Sequence, residues 1–226
     1  MNRLAHTLAA LIPFLSVPGY IQAETLNQTI AGTQQVSINL SASVEFKQGA
    51  EDRLQIEAEA HVLKAITVKH SGANLKIDSK PYRTQKPVKV SLVLKNLNKY
   101  VHEGSGEVKL HPRTENTLLL DAKGSGNLVA EQINVKQLTV DLNGGMDLGI
   151  SGKGEKAKFE LSGSGKIAAA KFTADAVQAL LSGAGDIEVH ATHTLNAKHT
   201  GSGDIRYRGK PNVSKTMDGS GNIEPF

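Results

Sequence analysis

The residues best placed to do chemistry recur at one position of a repeat. Glu107, Asn127, Asp147, Lys166, Asp186, Asp204 and Asn222 each follow a glycine-rich triplet directly. Stacked carboxylates and carboxamides are the oxygen ligands that calcium takes, as in glycine-rich nonapeptide rolls. Lys166 interrupts the column, however, and the spacing is about twice that of a nonapeptide. Asp or Asn beside Gly is also ordinary turn chemistry, because the short polar side chain bonds the local backbone. Turn chemistry is the better reading. The middle residues of the triplets, Ser105, Ser125, Ser164, Ser202 and Ser220, would be nucleophiles only with a paired base. Ala184 and Gly145 fill the same place, so a hydroxyl ladder serving turn backbone groups is expected instead.

His190, His193 and His199 form the one dense histidine group, and a zinc or copper site is the sharp interpretation. Residues three apart on a strand face opposite sides, and no carboxylate stands at ligand spacing. Surface histidines fit better. A pair of acids for glycoside hydrolysis cannot be picked out, since every repeat offers exposed acids and none is distinguished. No catalytic, cofactor-binding or metal-binding residue is assigned, and no cofactor is expected.

The elements carrying these residues are set by the repeat itself. Gly-x-Gly followed by one residue and an aliphatic occurs at Gly104, Gly124, Gly163, Gly183, Gly201 and Gly219, with a degenerate copy at Gly144-Gly145-Met146. The first glycines stand 18 to 20 residues apart, a register that a flexible linker would not keep. Before the glycines, apolar residues alternate with polar ones, as in Leu138, Val140 and Leu142 or Val177, Ala179 and Leu181. Four residues after each first glycine comes Val108, Leu128, Leu148, Ile167, Ile187, Ile205 or Ile223. Every copy presents the same pattern at the same offset, whereas the hairpins of an antiparallel meander or sandwich would alternate in direction. The expected fold is all-β, a parallel β-helix-like solenoid of about seven coils over residues 101–226. Glycine in β structure costs about 0.5–1 kcal/mol relative to alanine, so its return at both turn positions implies positive φ or close packing against the next coil. Met146 breaks that rule. In the final copies His199, Lys215 and Met217 replace aliphatics, as in a polar capping coil.

Residues 24–100 are organised differently. Short alternating runs such as Val36, Ile38 and Leu40, Leu54, Ile56 and Ala58, and Val88, Val90 and Leu92 read as half-buried strands that start or cap the same stack.

Composition bounds the function. The 226 residues are 39% hydrophobic and 21% charged, which predicts folding rather than disorder. Arg3 followed by the apolar run Leu8 to Val17 and the small Ala23 reads as a signal peptide over residues 1–23, implying export to the periplasm, cell surface or medium. No later stretch is apolar enough to hold the chain in a membrane. The absence of cysteine excludes disulfides, thiolate chemistry and a lipid-modified cysteine. A formal charge of +4 comes from lysines interspersed with acids, and aromatic residues make up 4% of the chain, so nucleic acid is not an expected partner.

The strands ending in Leu97-Asn98-Lys99-Tyr100-Val101, followed by units such as Gly201-Ser202-Gly203-Asp204-Ile205 and Gly219-Ser220-Gly221-Asn222-Ile223, resemble the bacterial DUF2807 family, named for an auto-transporter adhesin head with a GIN domain. The resemblance covers nearly all of the chain after the leader. It implies an exported β-helical protein and, by name, adhesion; it transfers no catalytic residues. The expectation is a surface or envelope binding module whose partner is an envelope component, glycan or protein. A β-helical carbohydrate-active enzyme and a purely structural envelope protein are the alternatives. Mass spectrometry of exported protein should find Glu24 at the amino terminus; cytosolic protein retaining Met1 would contradict the leader.

Overall fold

The computed structural model describes residues 23–226, so all but the last residue of the expected leader lies outside it. Period-two alternation produces strands almost throughout. The N-terminal part contains β1 (Ala23–Thr29), β2 (Gln35–Asn39), β3 (Ser43–Gln48), β4 (Arg53–Glu59), a single helical turn α1 (Ala60–Leu63), β5 (Ile66–Ser71), β6 (Asn74–Ser79) and β7 (Lys89–Leu94). Then come β8 (Lys99–His102), β9 (Ser105–Leu110), β10 (Arg113–Ala122), β11 (Ser125–Leu142), β12 (Gly145–Leu161), β13 (Ile167–Leu181), β14 (Ile187–His199), β15 (Ile205–Arg208), β16 (Asn212–Met217) and β17 (Ile223–Pro225).

From β8 onward each strand pairs in parallel with the equivalent strand of the next coil, which makes a parallel β-solenoid of about six turns. The long strands β11 to β14 wrap around corners, where the register shifts, for example between Ala130 and Ile133. The chain enters this stack out of sequence order. β2 and β3 form a coil held between β6–β7 on one side and β8–β9 on the other, all parallel. Beyond that coil the direction reverses: β5 pairs antiparallel with β6, β4 with β7 and β1 with β4. Val62 of α1 is fully buried at the same end. Reversed strands and a buried helical plug leave no parallel rung for further stacking there.

Register converts alternation into columns. Leu128 faces Val108 and Leu148, Leu148 faces Ile167, Ile167 faces Ile187, Ile187 faces Ile205 and Ile205 faces Ile223. Val44 and Val90 extend the column into the N-terminal part. All of these side chains are buried. Across the interior runs a second column, Ile77, Ile38, His102, Ala122, Leu142, Leu161, Leu181 and His199.

The turn glycines answer to close packing more than to positive φ. Among them only Gly106 and Gly126 have positive φ, 129° and 120°. The shared constraint is the coil beneath: a Cβ on Gly124 would collide with the Gly104 carbonyl oxygen, and one on Gly165 with that of Met146. Met146 itself keeps an ordinary φ and turns its side chain fully into the core. At the far end the replacements of aliphatics diverge. His199 is buried, while Met217 is 45% exposed. Lys215, in register with the buried Ala197, reaches across the stack to donate to the Ile223 carbonyl at 2.6 Å.

Truncating the central column tests the stacking. Ile167→Ala should cost about 2–5 kcal/mol in denaturant unfolding, and Ile223→Ala less, because Ile223 has a stacked neighbour on one side only. Gly165→Val should also destabilise, through the clash with the coil beneath. Equal losses at Ile167 and Ile223 would contradict the column.

Candidate functional site

The acidic column has a structural task. Asp147 Oδ1 accepts the Lys166 amide at 2.8 Å, Asp186 Oδ1 accepts the Asp204 amide at 3.0 Å, and Asp204 Oδ1 accepts the Asn222 amide at 2.9 Å. Each carboxylate thus bonds the backbone N–H of the corresponding residue one coil on. In return the backbone of that residue accepts from the previous coil, as in Leu148 N to Lys166 O at 2.7 Å and Ile187 N to Asp204 O at 2.9 Å. Lys166, which breaks the column, places its ammonium 2.6 Å from Glu188. The turn backbone is satisfied by backbone and not by the serine hydroxyls. The amides of Ser164, Ala184 and Ser202 donate to Gly144, Gly163 and Gly183 carbonyls, each at 3.0 Å. The Ser105 hydroxyl instead pairs with that of Ser41, at 2.7 Å.

The three histidines do not converge. His190 is half-buried with Nδ1 3.3 Å from the Thr173 hydroxyl, and His193 is exposed beside Thr192 and Asp175. His199 lies inside the stack with Nε2 on the Gly203 carbonyl. Among the described residues no group of three or more His, Asp or Glu is arranged to hold a metal ion.

Two polar features inside the stack escaped the sequence reading. His102 is fully buried in the second column, its Nδ1 2.8 Å from the Tyr100 hydroxyl. Burial pushes the Tyr100 phenol well up and the His102 imidazole down. Arg113 and Glu115 form a buried ion pair, with Arg113 Nε and Nη2 3.1 and 2.9 Å from Glu115 Oε1. The same oxygen accepts the Leu97 amide at 2.8 Å. Burial pulls the guanidinium below the ordinary arginine value, against the opposing pull of Glu115.

Glu115 of that ion pair lines a concavity on the solenoid surface. One outer side of the solenoid carries the ladder Thr114, Asn134, Lys153 and Thr173, one residue per coil. Where this side turns toward the face that precedes the glycine turns, an open groove of about 920 Å3 runs across the coils. Gln34, Asn96 and Asn98 line its N-terminal end, where Asn98 Nδ2 donates to Gln34 Oε1 at 2.9 Å. Glu155 and Asp175 line it on the later coils. Glu115, 7% exposed, also lines it, held by the three bonds it accepts from the Leu97 amide and Arg113. The sequence assigns none of these groove residues a functional role, and Asn98 figures there only within the Leu97–Val101 run. Asn and Thr at a corner carry no signature until the register stacks them.

The carboxylate ladder predicts that Asp186→Ala, which strips the Asp204 amide of its acceptor, should cost about 1–3 kcal/mol in chemical denaturation. Millimolar calcium should leave the unfolding midpoint of the unaltered protein unchanged. A calcium-dependent rise in the midpoint that Asp186→Ala abolishes would instead identify an ion site.

Solved structures share this architecture. A structure described as a "putative adhesin" from Bacteroides fragilis superposes with a TM-score of 0.86 at 25% identity, covering 91% of this chain and 97% of its own. A "putative lipid binding protein" from Parabacteroides distasonis gives a TM-score of 0.73 at 24% identity, covering 92% and 98%. A "putative adhesin" from Parabacteroides merdae gives 0.64 at 20% identity, with the same coverage. The last two likenesses concern the fold alone. No curated protein matches the chain. The profile of the DUF2807 family, "Putative auto-transporter adhesin, head GIN domain", matches residues 33–211, and the chain belongs to that family.

Proposed function

We propose that the protein is an exported binding module of the cell envelope or cell surface, which holds an envelope component without turning it over. The observation that carries this reading is the polar groove along the solenoid corner, presented on a scaffold in which several of the acids are engaged in structure. Asp147, Asp186 and Asp204 bond backbone amides of neighbouring coils, and Glu115 is held by Arg113 and the Leu97 amide. These bonds give each of the four carboxylates a structural task that accounts for its place without catalysis. Stacked coils present a rigid face whose side chains repeat at the rung spacing of about 4.8 Å, which suits extended ligands.

Membership of an adhesin-head family and the likeness to the Bacteroides fragilis adhesin support attachment as the task. The leader read from residues 1–23 supports export. Among the described residues no helix is long and apolar enough to cross a membrane.

A screen of the leaderless protein, residues 24–226, against envelope glycans and envelope proteins tests the proposal. Saturable binding with the ligand recovered intact is the expected outcome. Turnover of an envelope polysaccharide, abolished by substituting one Asp or Glu, would establish an enzyme instead.

A further inference from the structure

We propose that the corner groove binds a carbohydrate chain bearing hydroxyl and acetamido groups, laid along the solenoid axis; the inference rests on the binding-module reading and supplies its ligand class. The first argument is shape. The groove's volume, about 920 Å3, lies at the upper end of the range for small-ligand sites. It crosses the four rungs Thr114, Asn134, Lys153 and Thr173, a run of roughly 14 Å at the parallel-strand spacing. An open trough of that length suits a short linear chain better than a single compact metabolite.

The second argument is the chemistry of the walls. Five carboxamides, Gln34, Asn96, Asn98, Asn116 and Asn134, line the groove together with three threonines. Each carboxamide offers two donors and an acceptor, and each hydroxyl offers both roles, which matches ligand groups that are themselves donor and acceptor at once. Sugar hydroxyls and acetamido groups are of that kind. Charge does not select a polyion: Lys136 and Lys153 share the groove with Glu155 and Asp175, and the Glu115 carboxylate is balanced by Arg113. A nucleic acid would need a one-signed basic track. A peptide bound by strand addition would need an open sheet edge, and one bound by its side chains would need apolar pockets. The one large aliphatic residue lining the groove, Val135, is 6% exposed and turned into the core.

The third argument is preorganisation. Glu115, more than nine-tenths buried, is fixed by Arg113 and the Leu97 amide, and Asn98 is fixed by Gln34. These polar groups are positioned before any ligand arrives, which lowers the ordering cost of binding. No aromatic ring lines the groove to stack on a sugar face. A single groove therefore holds its chain weakly, and firm attachment arises from many copies on one surface.

The test uses residues 24–226 on an array of neutral and acetamido-bearing bacterial envelope oligosaccharides, with a panel of envelope-derived peptides alongside. Array hits are then titrated by two-dimensional NMR. The expected result is binding of one or more oligosaccharides, with shifts gathered at Asn98, Asn116, Asn134 and Thr173. Asn116→Ala combined with Asn134→Ala, both solvent-accessible positions, should weaken binding about tenfold or more. Asn127→Ala, on another face, should leave binding unchanged and shows that surface substitution alone has no effect. Oligosaccharide binding with shifts away from the corner would overturn the site. Failure of every oligosaccharide, with or without a peptide hit, would overturn the ligand class. A peptide or envelope-protein ligand recovered intact would still leave the binding-module reading standing, whereas turnover of a bound glycan would overturn that reading.

Discussion

The contact on which everything else depends is backbone against backbone at the glycine turns. The carbonyl of one turn glycine receives the amide of the middle residue in the next turn, as Gly163 receives Ala184, and no space remains there for a Cβ. This contact locks successive turns into the same register. Once they are locked, residues at a given offset stack on their counterparts along each side, with the register adjusting at the corners, and the alternation of the strands becomes a set of columns. Leu148, Ile167 and Ile187 are neighbours because the glycines leave them no other arrangement. The same rule stacks Thr114, Asn134, Lys153 and Thr173 on the outside, so the groove is a consequence of the turn.

Stacking also decides how polar groups are tolerated. An aspartate after the turn has an amide of the next coil within reach, and Asp147, Asp186 and Asp204 each accept that bond. Within the stack a polar side chain needs its own partner, since burial without one is costly. His102 finds the Tyr100 hydroxyl and Arg113 finds Glu115. The two ends of the molecule obey the same logic. Antiparallel strands and α1 close one end, and at the other Lys215 sends its ammonium across the stack to the Ile223 carbonyl, leaving a charge where another coil would have to dock.

How much of this was legible in the sequence differs by level. The solenoid, its direction and its aliphatic column could be read, because Gly, Ile and Leu recur at fixed offsets and each type has one physical reason to be there. A further corner, in register with the glycine turns, was hidden. Leu40-Ser41-Ala42 lies beneath Gly104 and Gly106 in the stack, yet it carries no glycine and so leaves no periodic mark. Below it the chain takes the loop over residues 80–88 instead of another tight turn. The insertion of β2–β3 between later strands was equally hidden, since alternation reports a buried face and says nothing about pairing partner. The serine column was assigned the right neighbourhood and the wrong group, as the turn amides and carbonyls satisfy one another. The groove was invisible for a further reason. Its residues lie on four coils and on the loops that precede β2 and β8, and only three-dimensional stacking brings Gln34, Asn98 and Asn134 to one groove.

The central claim, that stacked glycine turns bonded backbone to backbone set the register of the whole molecule, is tested most directly by amide hydrogen exchange at the turns. Ser164, Ala184 and Ser202 are solvent-exposed residues in tight turns, where free amides would exchange quickly. Residue-resolved exchange measured by NMR should show these three amides protected to nearly the same degree as the strand amides of Ile167 and Ile187. Exchange of Ser164, Ala184 and Ser202 at the rates of unstructured peptide, beside protected strands, would contradict the account.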